Sequence, residues 1–193
     1  MKMVSECKNF SDEELVVKTL TDQDFYCCLV ERYEKSLKRY ILRISNISQT
    51  ESEDVLQNIF LKAYLNLNDF DKDLKFSSWL YRIAHNEVIS NFRKRSARRL
   101  DELASLEDWQ EISDLKSIES EFDFKITKDQ LYRVLNLMED RYREILVLKF
   151  LEERSYQEIS DILERPMGTI ATLINRAKKQ FRDMANKNNV YFV

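Results

Sequence analysis

Apolar residues recur at helical intervals along two long stretches of the chain, and polar breaks divide each stretch into helices. Phe25, Leu29, Tyr33, Leu37, Ile41 and Ile44 keep one stripe, which predicts a helix from about Asp22 to Ser45. Ahead of it, Ser11-Asp12-Glu13-Glu14 has the form of a capping box, where a serine and a glutamate satisfy each other's backbone N–H groups, opening a short helix to about Leu20. The polar run Asn46 to Ser52 ends the second helix. Val55, Leu56, Ile59, Phe60, Ala63, Tyr64 and Leu67 then form a wide apolar face, with Asp54, Gln57, Asn58 and Lys62 pointing elsewhere. After a polar connection from Asn68 to Lys75, a fourth helix is expected from Ser77 or Ser78 to about Arg95. Trp79 and Tyr81 cannot share a face of that helix, so at least one of them belongs to the core.

From Leu100 to about Phe124 the periodicity is weak, and a tether with a turn or two of helix is the expectation. Thr127-Lys128-Asp129-Gln130 is a second capping-box pattern; a helix follows to Met138, then another from about Asp140 to Leu151. Ser155-Tyr156-Gln157-Glu158 opens a short helix to Leu163. The connection Glu164 to Thr169 holds the chain's only proline and only glycine. A last helix turns Ile170, Leu173, Ile174, Ala177 and Phe181 inward and Asn175, Arg176, Lys178, Lys179 and Arg182 outward. Two helices joined by a tight turn, the second of them basic, outline a helix-turn-helix, with a plain helical hairpin as the alternative.

Composition sharpens this picture. One glycine and one proline are too few for the hairpin turns of a sheet protein, so the 193 residues are expected to be all-α. The net charge of −3 conceals blocks. Arg93, Lys94, Arg95, Arg98 and Arg99 stand together without an acid, more cations than a helix C-terminus needs, and point to a nucleic-acid face. Nine acids against Lys116 follow between Leu100 and Phe124, and six cations against Asp183 run from Arg165 to Lys187. Cys7, Cys27 and Cys28 have no metal-ligand spacing, and an odd count with an adjacent pair suggests reduced cysteines, Cys27 and Cys28 acting as small buried hydrophobes. His85 is the only histidine. No metal, no cofactor and no catalytic constellation are expected, so the chain reads as a non-enzyme. No apolar run approaches the ~20 residues of a membrane span and no signal-peptide core opens the chain, which places it in the cytoplasm.

The blocks Asp54-Val55-Leu56-Gln57-Asn58-Ile59-Phe60-Leu61-Lys62-Ala63-Tyr64, Phe70-Asp71, Phe76 to Asn86 and Arg93-Lys94 resemble the second conserved region of sigma-70-family RNA polymerase sigma factors, of the extracytoplasmic-function type. Ser155-Tyr156-Gln157-Glu158-Ile159-Ser160, Pro166 to Ile170 and Arg176-Ala177-Lys178 resemble their fourth region. The resemblance implies two small helical domains, residues 1–99 and 127–187, joined by the acidic linker 100–126. It implies a subunit that binds core RNA polymerase through the clamp helices (second region) and the flap (fourth region), reads two promoter elements, and is held by an anti-sigma protein.

Residue by residue, the resemblance places Asp54, Gln57 and Asn58 against polymerase. It assigns minus-ten DNA to Lys75, Phe76, Ser77, Ser78, Trp79, Arg82, Asn86, Arg93, Lys94 and Arg95, with Lys75 to Ser78 as a base-capturing loop. Upstream DNA falls to Arg165, Thr169, Ala171, Thr172, Asn175, Arg176, Lys178 and Lys179. Ala171, Thr172 and Leu173 stand where relatives usually carry a cation, a serine and an arginine. Bidentate guanine contacts are lost there, which leaves methyl, backbone and shape readout. At ~3.3 Å per residue the acidic linker reaches about 80 Å, enough for elements ~50–70 Å apart. A stand-alone helix-turn-helix regulator is the alternative; it leaves the second-region block unexplained.

Overall fold

The computed structural model describes residues 7–45, 47–98, 128–188 and 190. Its helices are α1 (Asp12–Thr21), α2 (Tyr26–Ile44), α3 (Gln49–Leu65), α4 (Phe76–Arg98), α5 (Lys128–Asn136), α6 (Asp140–Leu146), α7 (Tyr156–Leu163) and α8 (Met167–Lys187). Three-residue 3-10 turns stand at Cys7–Asn9, Gln23–Phe25 and Leu67–Asp69, and a π-type turn at Val147–Leu151. No strand occurs among the described residues. Apart from the last turn of α2, the helices fall into two units, α1–α4 and α5–α8. The acidic stretch expected as a tether, and the capping box expected at Thr127, lie outside the described residues.

Serines set where three helices begin. Ser11, Ser48 and Ser155 each accept the N–H of the glutamate three residues on, and Glu14, Glu51 and Glu158 accept the serine N–H in return. Each box satisfies two donors that a helix start leaves orphaned, worth ~1 kcal/mol in stability. The box at Ser48 starts α3 at Gln49, inside the run Asn46 to Ser52 that polarity alone assigns to a loop.

In the first unit α2 buries Leu29, Tyr33, Leu37, Tyr40 and Ile41, α3 buries Val55, Ile59 and Ala63, and α4 buries Leu80, Tyr81 and Ala84. The Tyr40 and Tyr81 rings meet at 5.0 Å between centroids. Tyr26, at the start of α2, donates its hydroxyl to the Phe60 carbonyl and packs on the Tyr64 ring at 5.0 Å. Burial holds that hydroxyl protonated, raising its pKa above the ordinary tyrosine value. Lys62 and the buried Glu87 form an ion pair that ties α3 to α4.

The cysteines depart from expectation. Cys7 and Cys28 are paired as a disulfide, with Cα atoms 5.7 Å apart, and both are buried. Cys27, expected to be buried, is the exposed free thiol. The adjacent pair in sequence is not a pair in space. On a helix neighbouring residues diverge by ~100°, so only Cys28 faces the N-terminal segment.

In the second unit α8 is the central element, with α5, α6 and α7 packed on it. Ile170, Ile174, Ala177, Phe181 and Ala185 form its buried stripe, against Ile145 of α6 and Ile159 and Ile162 of α7. Leu173, expected inward, is half-buried. Val190, in a tail for which the sequence suggests no role, is buried and donates its N–H to the Ala185 carbonyl at 3.0 Å, closing the end of α8.

Candidate nucleic-acid interface

The head of α4 is where sequence and structure part most. The expected base-capturing set begins with Lys75 and Ser77, which are exposed and half-buried respectively. Phe76, Ser78 and Trp79, assigned to the same set, are buried. The reason is long-range. Phe70 reaches both rings, at 5.6 Å from Phe76 and 5.4 Å from Trp79, and Tyr33 of α2 meets Phe76 at 5.7 Å. Phe76 and Trp79 are themselves 5.7 Å apart. Edge-on pairs of this kind are worth ~0.5–1.5 kcal/mol each beyond burial, so the cluster forms a firm foundation under the head of α4. Trp79 and Tyr81 are both in the core. Ser78 is fully buried and its hydroxyl has no hydrogen-bond partner among the described residues.

Glu13 of α1 anchors this head from outside: its Oε1 accepts the N–H of Phe76 at 3.2 Å. The helix therefore begins at Phe76, earlier than the expected Ser77. Beyond the cluster α4 turns a polar face outward. Asn86 and Arg93 are exposed and Arg82 is half-buried; spacings of four and seven residues set them on one side. Lys94 and Arg95 lie within α4, but their side chains are outside the described part. Phe92, missed in the sequence, is 46% exposed beside Arg93. A lone aromatic in a cationic run was the signal for it. Of the Phe, Trp and Tyr residues of α4, Phe76, Trp79 and Tyr81 are buried, which leaves Phe92 as the exposed ring.

On α3, Asp54, Gln57 and Asn58 are exposed. The same stripe runs on through Leu61, 56% exposed, and Leu65, 66% exposed. The spacing 54, 58, 61, 65 keeps these residues on one side of the helix. Polarity alone marked only the first half of this face.

In the helix-turn-helix, α7 ends on Glu164 in the left-handed conformation, φ 51°. Ser160 fastens the turn, donating its hydroxyl to the Arg165 carbonyl and accepting the Arg165 N–H at its own carbonyl. Gly168 is not the turn residue: it lies in the first turn of α8, without positive φ, and a Cβ there would meet nothing within 4 Å. Arg165, Thr169, Thr172, Asn175, Arg176 and Lys179 are exposed, and Ala171 is half-buried beside them. Thr172 donates its hydroxyl to the Gly168 carbonyl, which turns its hydrogen-bond donor inward along the helix. Lys178 is half-buried with its ammonium 4.9 Å from the centre of the Phe150 ring, so it is partly committed within its own unit.

Among the described residues no group of His, Cys, Asp and Glu is placed to hold a metal ion, and no helix is long and apolar enough to cross a membrane.

Residues 29–98 match the family model for Sigma-70 region 2, and residues 128–181 match that for Sigma-70, region 4. The chain is 34% identical over 175 residues to the ECF RNA polymerase sigma factor SigW of Bacillus subtilis, covering 84% of this chain and 92% of that one. It is 27% identical over 180 residues to the ECF RNA polymerase sigma-E factor of Escherichia coli K12, covering 89% and 93%. Among solved structures, CnrH in complex with the cytosolic domain of CnrY shares the fold with a TM-score of 0.65 at 24% identity, over 90% of this chain and 96% of that one. The sigma factor RpoE in complex with the anti-sigma factor NepR, from Bartonella quintana, does so with a TM-score of 0.66 at 20% identity, over 87% and 98%.

Proposed function

The chain belongs to the sigma-70 family and is an RNA polymerase sigma factor of the extracytoplasmic-function type, and from that premise we propose how its residues divide the work of starting transcription. Core polymerase is held by the α3 stripe, with Asp54, Gln57 and Asn58 supplying polar contacts and Leu61 and Leu65 an apolar end. Promoter opening falls to the outward face of α4. Lys75 and Ser77 border the strand, Arg82, Asn86 and Arg93 hold its phosphates and base edges, and Phe92 offers a ring to an unstacked base. Stacking of that kind is worth ~1–3 kcal/mol per base.

The upstream element is met by α8. Arg165, Arg176 and Lys179 neutralise phosphates, while Thr169, Ala171, Thr172 and Asn175 face the groove. Without an arginine at residue 171 or 172 there is no bidentate guanine contact there, so methyl and shape readout dominate this element and the minus-ten element carries most discrimination. The solved relatives named above were captured with partner proteins, one of them an anti-sigma factor, and a protein of that class is proposed as the regulator of this chain. The chain performs no bond chemistry; the polymerase does.

One observation carries this division: α4 and α8 each present an exposed polar and cationic face backed by an apolar core of their own unit. Reconstitution tests it. Permanganate reactivity of promoter thymines should appear only when the chain and core polymerase are present together. Sequence-specific duplex binding by the chain alone at moderate salt, without dependence on polymerase, would point instead to a stand-alone regulator.

A further inference from the structure

The segment ahead of α1 is fastened across the first unit by contacts that the roles above do not use. Cys7 is bonded to Cys28 of α2, 21 residues away in sequence. Arg32, one turn further along α2, donates from Nη2 to the carbonyls of Cys7 at 2.9 Å and Phe10 at 3.0 Å. Asp12 accepts from the Arg32 guanidinium and from the Tyr33 hydroxyl. The next residue is Glu13, which caps Phe76 at the head of α4, and Tyr33 packs its ring on Phe76. A single stretch, Cys7 to Glu13, thus links α2 to the start of the helix that carries the minus-ten face.

We propose that Cys7 and Cys28 form a reversible redox site, a dithiol–disulfide couple that sets how firmly this stretch holds the head of α4. The chemistry stands on the cysteine pair alone; its consequence for promoter opening rests on the sigma-factor reading. The rest of the unit has a core of its own in the Tyr40–Tyr81 pair and the Phe70, Phe76 and Trp79 cluster. Reduction therefore releases a segment and does not unfold the unit. Because the disulfide is buried, exchange proceeds through local lifting of the Cys7–Asn9 turn.

The oxidant is a low-molecular-weight disulfide. The Cys7 thiolate attacks one of its sulfurs and expels one small thiol, leaving a mixed disulfide on Cys7. The Cys28 thiolate then attacks the Cys7 sulfur and expels the second small thiol. Two protein thiols have lost two electrons and two protons, and the small disulfide has become two thiols. A dithiol runs the sequence backwards. Cys27, exposed and pointing away, takes no part.

The full chain is equilibrated with oxidised glutathione or with dithiothreitol, desalted, and only then mixed with core polymerase. In denaturant the oxidised chain should titrate one thiol, or none where Cys27 itself carries a glutathione seen by mass, and the reduced chain all three of its cysteines. Non-reduced peptide mapping should join Cys7 to Cys28. Backbone amides of residues 8–14 should exchange at least tenfold more slowly when oxidised, an order-of-magnitude expectation for closing a local opening. Open-complex yield should be several-fold higher, about 3-fold or more, because the head of α4 is held in place before binding. Cys7→Ala and Cys28→Ala should behave as the reduced chain in both buffers, and Cys27→Ala as the parent.

Three thiols in both buffers, a cross-link through Cys27, or a Cys7–Cys28 link that changes neither exchange nor open-complex yield would each overturn the proposal. If no open complex forms in either buffer, the sigma-factor reading fails; thiol count and amide exchange still decide the site.

Discussion

Phe76 and Phe92 lie on the same helix, one buried and one exposed, and the proposed reading gives them opposite jobs. Phe76 is 1% exposed and meets the rings of Tyr33, Phe70 and Trp79. Truncating a buried phenylalanine to alanine costs ~3–5 kcal/mol, a large part of the ~5–15 kcal/mol by which a domain is stable. At ~4–8 °C per kcal/mol for a unit of this size, Phe76→Ala should melt at least ~12 °C below the parent. Hydrogen exchange of α3 and α4 peptides in the full chain is the cleanest assay, because the second unit cannot mask the loss. Phe92→Ala removes an exposed ring, so its stability should stay within ~0.5 kcal/mol of the parent. Its open-complex equilibrium should fall ~5- to 150-fold, the equivalent of ~1–3 kcal/mol of base stacking. A Phe76→Ala chain that melts within ~3 °C of the parent and yet forms no open complexes would refute the assignment of that ring to the core.

Four further outcomes follow from the same surfaces. Leu61→Glu with Leu65→Glu should leave stability within ~0.5 kcal/mol but weaken core-polymerase binding ~10-fold or more, read by competition against the parent chain. Arg176→Ala should lower the slope of log Kobs against log salt for upstream-element binding by about 1, with little change in sequence preference. Gly168→Ala should raise stability by ~0.5–1 kcal/mol in thermal melts, since the site is helical and open; weaker promoter binding by the same variant would show that DNA approaches the backbone there. Ser78→Ala should hold or raise stability by ~1 kcal/mol and leave permanganate reactivity unchanged, because it removes a buried hydroxyl that has no partner among the described residues.

The helices and their two-unit grouping were legible because each signal is local. The capping boxes at Ser11 and Ser155 start α1 and α7 where the pattern places them. The box at Ser48 is equally local, yet a polar stretch disguised it as a loop. The candidate site was legible only where it is built from one helix. Asp54, Gln57 and Asn58, or Asn175, Arg176 and Lys179, are turned outward by helical spacing and are exposed. At the head of α4 the deciding partners, Tyr33 and Phe70, lie in other elements, and no window around residue 76 contains Tyr33. Cys7 and Cys28 were hidden for the same reason: their meeting depends on how the N-terminal segment crosses α2.

The aromatic cluster beneath the head of α4 also bears on how such a protein diversifies. The loop above it, Asp71 to Lys75, ends on rings packed against one another, with Lys75 and Asp73 exposed. Substitutions at exposed positions of this kind shift stability by ~0.5 kcal/mol or less. On the proposed reading, in which Lys75 borders the promoter strand, promoter preference can drift through the loop across generations while the foundation stays fixed, and a lineage can acquire new target genes without passing through an unfolded ancestor.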